Sequence, residues 1–385
     1  MLLFLEQCLN GLQFGLLLFL LAAGLTLVFG IMDMVNLAHG SLYMVGAYFA
    51  ATFAALTDSF LVGAILALGA TILVGMVVEV VALRRLYGRD HLDHVLGTFG
   101  LILFFNEAVR IVWGPAGLTL RVPDWLNTSV RILPGLDYPT YRIAIIVTAL
   151  AVALFLYVLV MRTRIGMLIR AGASNREMTG ALGVNINLLY TLVFGLGAAL
   201  AALAGLMQAP IQTVQIGMGE NILILAFVVI IIGGIGSIRG AFVAAVMVGL
   251  IDTIGRAFLP DLLRLVLSSR GASTVAPALS SMLIYLVMAI VLVVRPAGLF
   301  PVASNDRLVH TPQCGRRRPS SLSCAGAGLC GDDRQRVPDD AVHPHRHPGD
   351  RGDQPQPDPR LWRHGELRAR RLSWRGRLRG RHPGL

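Results

Sequence analysis

Eight or nine times between Gly11 and Pro296 the sequence runs through roughly twenty apolar residues with hardly a charge among them. At about 1.5 Å of rise per residue, such a run in a helix crosses the roughly 30 Å hydrocarbon core of a bilayer. No water is present there to satisfy free N–H and C=O groups, so each run must bond its own backbone as a helix. The predicted spans are 11–32, 40–57, 60–82, 94–114, 142–161, 187–209, 222–237, 240–258 and 280–296. The pair 222–258 is interrupted by Gly233-Gly234-Ile235-Gly236-Ser237-Ile238-Arg239-Gly240 and reads either as two short spans or as one broken, re-entrant element. Charged residues make up 14% of the chain and mean hydropathy is +0.68, where a soluble chain carries about 25% charge. The expected fold is an all-α, polytopic integral membrane bundle of eight or nine transmembrane helices.

Read whole, the net charge of +11 suggests a nucleic-acid partner. Divided at Ala303, that reading fails. Residues 1–303 hold 16 Arg against 13 acidic residues, net +3, and residues 304–385 hold 17 against 9, net +8. No nucleic acid is expected, and membrane lipid is the expected surroundings. Only Cys8 lies in the apolar body, with Cys314, Cys324 and Cys330 beyond it, so no disulfide framework forms there. The apolar stretch from about Leu12 to Met34 is too long for a cleavable leader and lacks a basic region before it. Arg84, Arg85 and Arg89 follow the third span, and Arg162, Arg164, Arg170 and Arg176 the fifth. By the bias of basic residues both loops face the cytoplasm, the N-terminus faces outward and, with nine spans, Arg295 faces in. The segment 115–141, with Pro115, Pro123, Pro134 and Pro139, is then external.

Small residues crowd the spans, as in Gly195, Gly197, Ala198, Ala199, Ala201, Ala202, Ala204 and Gly205. Helices in lipid gain little by burying apolar surface against one another and associate through close backbone approach, so this density predicts a tight bundle. The loop 162–187 carries a short helix signal. Ser174 is placed as N-cap with Glu177 completing a capping box, Met178, Ala181 and Leu182 form an apolar stripe, and Gly183 supplies the stop. Such a helix either docks into a groove of a soluble partner or merely connects two spans on the membrane surface. Asn36 and His39 precede a helix start, with Gly40 and Gly46 permitting close approach. A helix that starts within a membrane protein exposes N–H groups that hold a carboxylate, so this region either lines a pathway or sits at the interface on the cytoplasmic side. Glu107 with Arg110 and Asp252 with Arg256 are spaced to neutralise each other, and Glu79 lies near a cytoplasmic end. The Gly233, Gly234 and Gly236 stretch lacks the Gly-Lys-Ser/Thr ending of a phosphate loop and is assigned to packing or a break. No catalytic set, cofactor or metal site is expected.

The run Arg170…Asn175…Ala181-Leu182-Gly183-Val184-Asn185 resembles the coupling loop of ABC importer permeases. Over about residues 1–303 the chain resembles the LivH-type permease of branched-chain amino acid ABC importers. Three further segments carry the likeness: Gly24–Met32 continuing to Asn36–Tyr48, the Gly233–Gly240 stretch followed by Ala241, and Arg295-Pro296-Ala297-Gly298-Leu299-Phe300. The resemblance implies a subunit in a bacterial inner membrane that works with a LivM-type second permease, two ATP-binding subunits and a periplasmic amino-acid-binding protein. It implies transport of leucine, isoleucine or valine, with urea or short amides carried by related systems. No Walker motif occurs, so a partner chain would hydrolyse the ATP. A secondary transporter would need a midplane ion-coupling site, which the sequence does not offer, and a membrane enzyme would need a convergent polar set in the spans.

Residues 304–385 are rich in Arg, Pro and His without periodicity. His343, His345 and His347 imitate a metal tract. Back-translated with GC-biased codons and read from the second base, Arg336–Leu385 becomes a stop-free apolar sequence containing Gly-His-Ala-Ala-Phe-Leu-Gly-Val-Gly-Ala-Tyr. That run parallels Ala38–Tyr48 of the same chain and resembles the start of a LivM-type permease. The segment 304–385 therefore reads as a frameshifted passage into a neighbouring permease gene, expected to be disordered.

Overall fold

A computed structural model of the chain describes residues 2–265 and 268–300. The segment 304–385, with its frameshift reading and the three histidines, lies outside the described residues. The helices are α1 (Leu2–Met32), α2 (His39–Thr57), α3 (Phe60–Val81), α4 (His91–Trp113), α5 (Thr140–Arg162), α6 (Arg164–Ser174), α7 (Arg176–Ala181), α8 (Ile186–Gln208), α9 (Met218–Gly233), α10 (Ile238–Leu263) and α11 (Ser269–Val294). A single antiparallel hairpin, β1 (Ser129–Leu133) and β2 (Leu136–Pro139), precedes α5, turning at Gly135. Eight of the helices are long and apolar enough to cross a membrane, and α9, with 16 residues, is a shorter ninth. The chain is an all-α integral membrane protein.

The helix at the centre is α1. Every residue from Gly15 to Val28 is buried, so this helix has no polar face to offer and needs none. It lies against α10 through Gly11 and Gly15, against α8 through Gly24, and against α5 and α9. By contrast α3, α4, α5 and α11 show long apolar side chains to the outside, among them Ile65, Leu73, Leu96, Phe104, Leu154 and Val293. That surface would aggregate in water. In lipid it is the natural boundary of the bundle.

The glycine interruption separates two helices rather than breaking one. α9 ends at Gly233, and Gly234 (φ 100°) and Gly236 (φ 82°) turn the chain in conformations that L side chains rarely adopt. Ser237 then caps α10, its Oγ accepting from the Gly240 amide at 3.1 Å. Gly233 packs on the Gly240 backbone, which leaves no room for a Cβ on either residue. The carbonyls at the end of α9 are satisfied from far along the chain: the Leu299 amide donates to Ile232 (2.9 Å) and the Phe300 amide to Gly233 (3.1 Å). Two segments that carry the sequence likeness, Gly233–Gly240 and Arg295–Phe300, are thus one interlocked unit.

Candidate functional site

α2 begins inside the bundle. His39, its first residue, is wholly buried and lies in a niche floored by Gly24 of α1 and Gly197 of α8. Gly24 is eight residues short of the end of α1, so His39 stands about 12 Å back into the bundle along that helix. Residues 33–38 turn back into the bundle, Asp33 in a left-handed conformation, because the α1 and α8 glycines open a slot for the histidine ring. The Leu21 backbone carbonyl approaches the ring, yet neither ring nitrogen closes a hydrogen bond of good geometry. Asn36 is equally buried. Its Oδ1 accepts from the Ala38 amide at 3.0 Å, and its Nδ2 has no partner.

The start of α9 meets the start of α2 at this depth. Gly40 and Gly219 touch backbone to backbone, each occupying the space that a Cβ on the other would need. One turn on, Gly46 lies against Ala202, and Gly205 against the Tyr43 carbonyl, binding α2 to α8. Two helix N-termini therefore converge inside the bundle with their positive dipole ends, the His39, Ser41 and Met218 amides being taken up by the Asn36, Ala38 and Gln215 carbonyls. Gly40 and Gly46 serve this packing directly, whereas Gly233, Gly234 and Gly236 belong to the separate α9–α10 turn.

After α5, α6 and α7 form a bent pair. Gly166, Ile169 and Gly172 turn inward on α6, Gly166 fitting against the last carbonyls of α5 and Gly172 against Leu189 and Ile31. The cap between α6 and α7 is Asn175, not Ser174. Asn175 Oδ1 accepts from the Met178 amide at 2.9 Å, and Ser174 is the last residue of α6. The expected capping box is absent for a simple reason. Ser174 belongs to the last turn of α6, so its amide is not a free N-cap donor, and with Asn175 as the cap the third helical position falls on Met178 rather than Glu177. Gly183 (φ 88°) ends the pair as expected, and Asn185 caps α8 through the Leu188 amide at 3.1 Å. Arg170, Ala181 and the Met178 and Leu182 side chains are exposed, Leu182 by 78%.

Glu79 anchors the neighbouring loop. It is fully buried and accepts from Arg84 (3.0 Å), Tyr87 (2.8 Å) and Thr191 (2.7 Å). Burial, then the Glu79 carboxylate, pushes the Tyr87 phenol well above its ordinary value, so it remains a donor. This cluster ties the end of α3 to the start of α8, beside α7. Glu107–Arg110 and Asp252–Arg256 form the ion pairs expected of their spacing, at 3.0 and 2.9 Å. Among the described residues no group of three or more His, Cys, Asp or Glu is placed to hold a metal ion. Sequence reasoning missed Glu220, an acidic residue in the first turn of α9 that bonds Asn106 of α4. Its signal was available: Gly217-Met218-Gly219-Glu220 directly precedes the apolar run that was placed from 222.

Residues 7–292 match the family described as the branched-chain amino acid transport system permease component. The chain belongs to this family. The permease is 33% identical over 266 residues to the high-affinity branched-chain amino acid transport system permease protein BraD of Pseudomonas aeruginosa, covering 66% of this chain and 86% of that one. It is 31% identical over 271 residues to LivH of Salmonella typhimurium and 29% over 275 residues to LivH of Escherichia coli, in each case covering 66% of this chain and 87% of the relative. No solved structure matches the permease.

Proposed function

We propose that the permease is one membrane subunit of an ATP-driven importer in a bacterial inner membrane and carries leucine, isoleucine and valine. The observation that carries this reading is the convergence of the α2 and α9 N-termini within the bundle, at Gly40 and Gly219. Paired helix starts turn their positive dipole ends toward a carboxylate. The side chains packed around Asn36 and His39 include the buried apolar Leu21, Leu25, Val28 and Leu42, which suit a branched aliphatic substrate. At the cytoplasmic side, the exposed Met178–Leu182 stripe of α7, held by the Asn175 cap and by Asn185, is the surface that docks an ATP-binding subunit. A LivM-type second permease, two ATP-binding subunits and a periplasmic amino-acid-binding protein complete the assembly, and hydrolysis takes place on the partner. Residues 1–303 constitute the functional body, and 304–385 are a frameshifted passage whose nucleotide sequence, read in the shifted frame, encodes a second permease.

Radiolabelled uptake into proteoliposomes of the assembled transporter tests the reading. Leucine, isoleucine and valine accumulate only with ATP and the ATP-binding subunits. Uptake that persists without them, or a preference for urea, refutes it. A shifted frame broken by stop codons refutes the account of the tail.

A further inference from the structure

We infer that Glu220 and Asn106 form the site that receives the ammonium group of the substrate as it passes the α2–α9 junction; this rests on the reading of the chain as an amino acid permease. Sixteen residues of helix span about 24 Å, short of the roughly 30 Å hydrocarbon core, and α9 starts beside the first residues of α2 within the bundle. Above it the outer loops close on each other, Leu118 and Val214 exchanging hydrogen bonds at 2.9 and 2.8 Å. Glu220 lies in the first turn of α9, directly after the Gly219 that touches Gly40.

Its carboxylate is only half served. Asn106 Nδ2 donates to Glu220 Oε1 at 2.6 Å, while Glu220 Oε2 and Asn106 Oδ1 are both shut off from solvent with no hydrogen-bond partner. Glu220 takes part in none of the ion pairs among the described residues, and the one arginine of α4, Arg110, is engaged with Glu107 on an exposed face. The field of the helix start offsets about 0.3–1 kcal/mol. A carboxylate oxygen shut off from water without a counter-charge costs several times that. What the site lacks is a positive charge that brings donors: Glu220 Oε2 and Asn106 Oδ1, on two side chains already joined by a hydrogen bond, each want one. A primary ammonium group, with three N–H donors and no acceptor, supplies both. A zwitterion seated this way turns its carboxylate from Glu220 toward the paired helix starts at Gly40 and Gly219. The two ends of an amino acid are then read by two adjoining features of the same junction.

The test uses proteoliposomes of the complete transporter with saturating binding protein and radiolabelled leucine. Glu220→Gln keeps the shape and the acceptor for Asn106 but removes the charge. The expected result is a leucine turnover at least tenfold lower, with KM, set by the binding protein, unchanged and stimulated ATP hydrolysis within twofold of the parent. Glu220→Asp retains part of the activity and Asn106→Ala lowers it severalfold. If Glu220→Gln does not fold, these two variants carry the test. Leucine turnover within twofold of the parent in the folded variants overturns the inference. A parent uptake that follows sodium concentration, with Glu220→Gln abolishing that dependence, overturns it in favour of a metal cation. Failure of the parent to take up any amino acid overturns the amino acid reading and this inference with it.

Discussion

The α2–α9 junction and the α6–α7 pair both carry family motifs, and they use small and apolar residues in opposite ways. At the junction, Gly40 and Gly219 bring two backbones into contact, with His39, Ser41 and Met218 buried beside them. In α7, Met178 and Leu182 point away from the bundle, and the helix is held by caps at its ends. The first arrangement fixes geometry at the cost of tolerance. The second leaves apolar surface uncovered, which a soluble partner can bury.

The sharpest way to break this contrast is Gly219→Ala. A Cβ there enters the Gly40 carbonyl, so the helices must part, with a destabilisation of about 3 kcal/mol. Gel filtration in detergent after a thermal ramp reads the loss. Gly69→Ala is the control: Gly69 of α3 has open space around its Cα, and the change is expected to be neutral or stabilising by about 0.5–1 kcal/mol. Equal effects at the two sites would dissolve the distinction. Glu79→Gln comes next. It weakens three bonds to a buried carboxylate, and because Arg84 is a third exposed the loss is about 2 kcal/mol, seen in the same melt.

Smaller effects sharpen the picture at α7. Asn175→Ala removes a cap worth about 1 kcal/mol, whereas Ser174→Ala changes stability by less than about 0.5 kcal/mol; the reverse order would restore the capping box at Ser174. Met178→Ser combined with Leu182→Ser leaves the melting curve within about 0.5 kcal/mol of the parent, since both side chains are already exposed. ATP-driven uptake by that variant falls severalfold, with binding of the ATP-binding subunit weakened in pull-down. Normal uptake would remove α7 as the docking surface.

Much of the fold is legible from residues alone, for identifiable reasons. Long apolar runs mark helices because length and hydropathy are local sums, and the spans match within about five residues except at α1, which extends to Leu2, and at α11, which begins at Ser269 rather than at 280. The α9–α10 pair resisted because 16 residues fall below the length that certifies a span. The cap at 174–175 was misplaced by one because two good capping residues stand side by side, and only the extent of α6 chooses between them. The β hairpin went unseen because Pro134-Gly135 interrupts a segment with little alternation.

What the sequence by itself determined is that this chain lives in lipid as eight or nine helices, with a basic, capped segment between the fifth and the next span. Hydropathy and charge decide that much, since each residue contributes wherever its neighbours lie. The tertiary structure alone decided that α1 is central, that His39 stands inside the bundle and that Glu220 lacks a counter-charge. Those outcomes depend on which backbones come close, as at Gly24 with Gly197 and Gly40 with Gly219, and a glycine does not announce its partner.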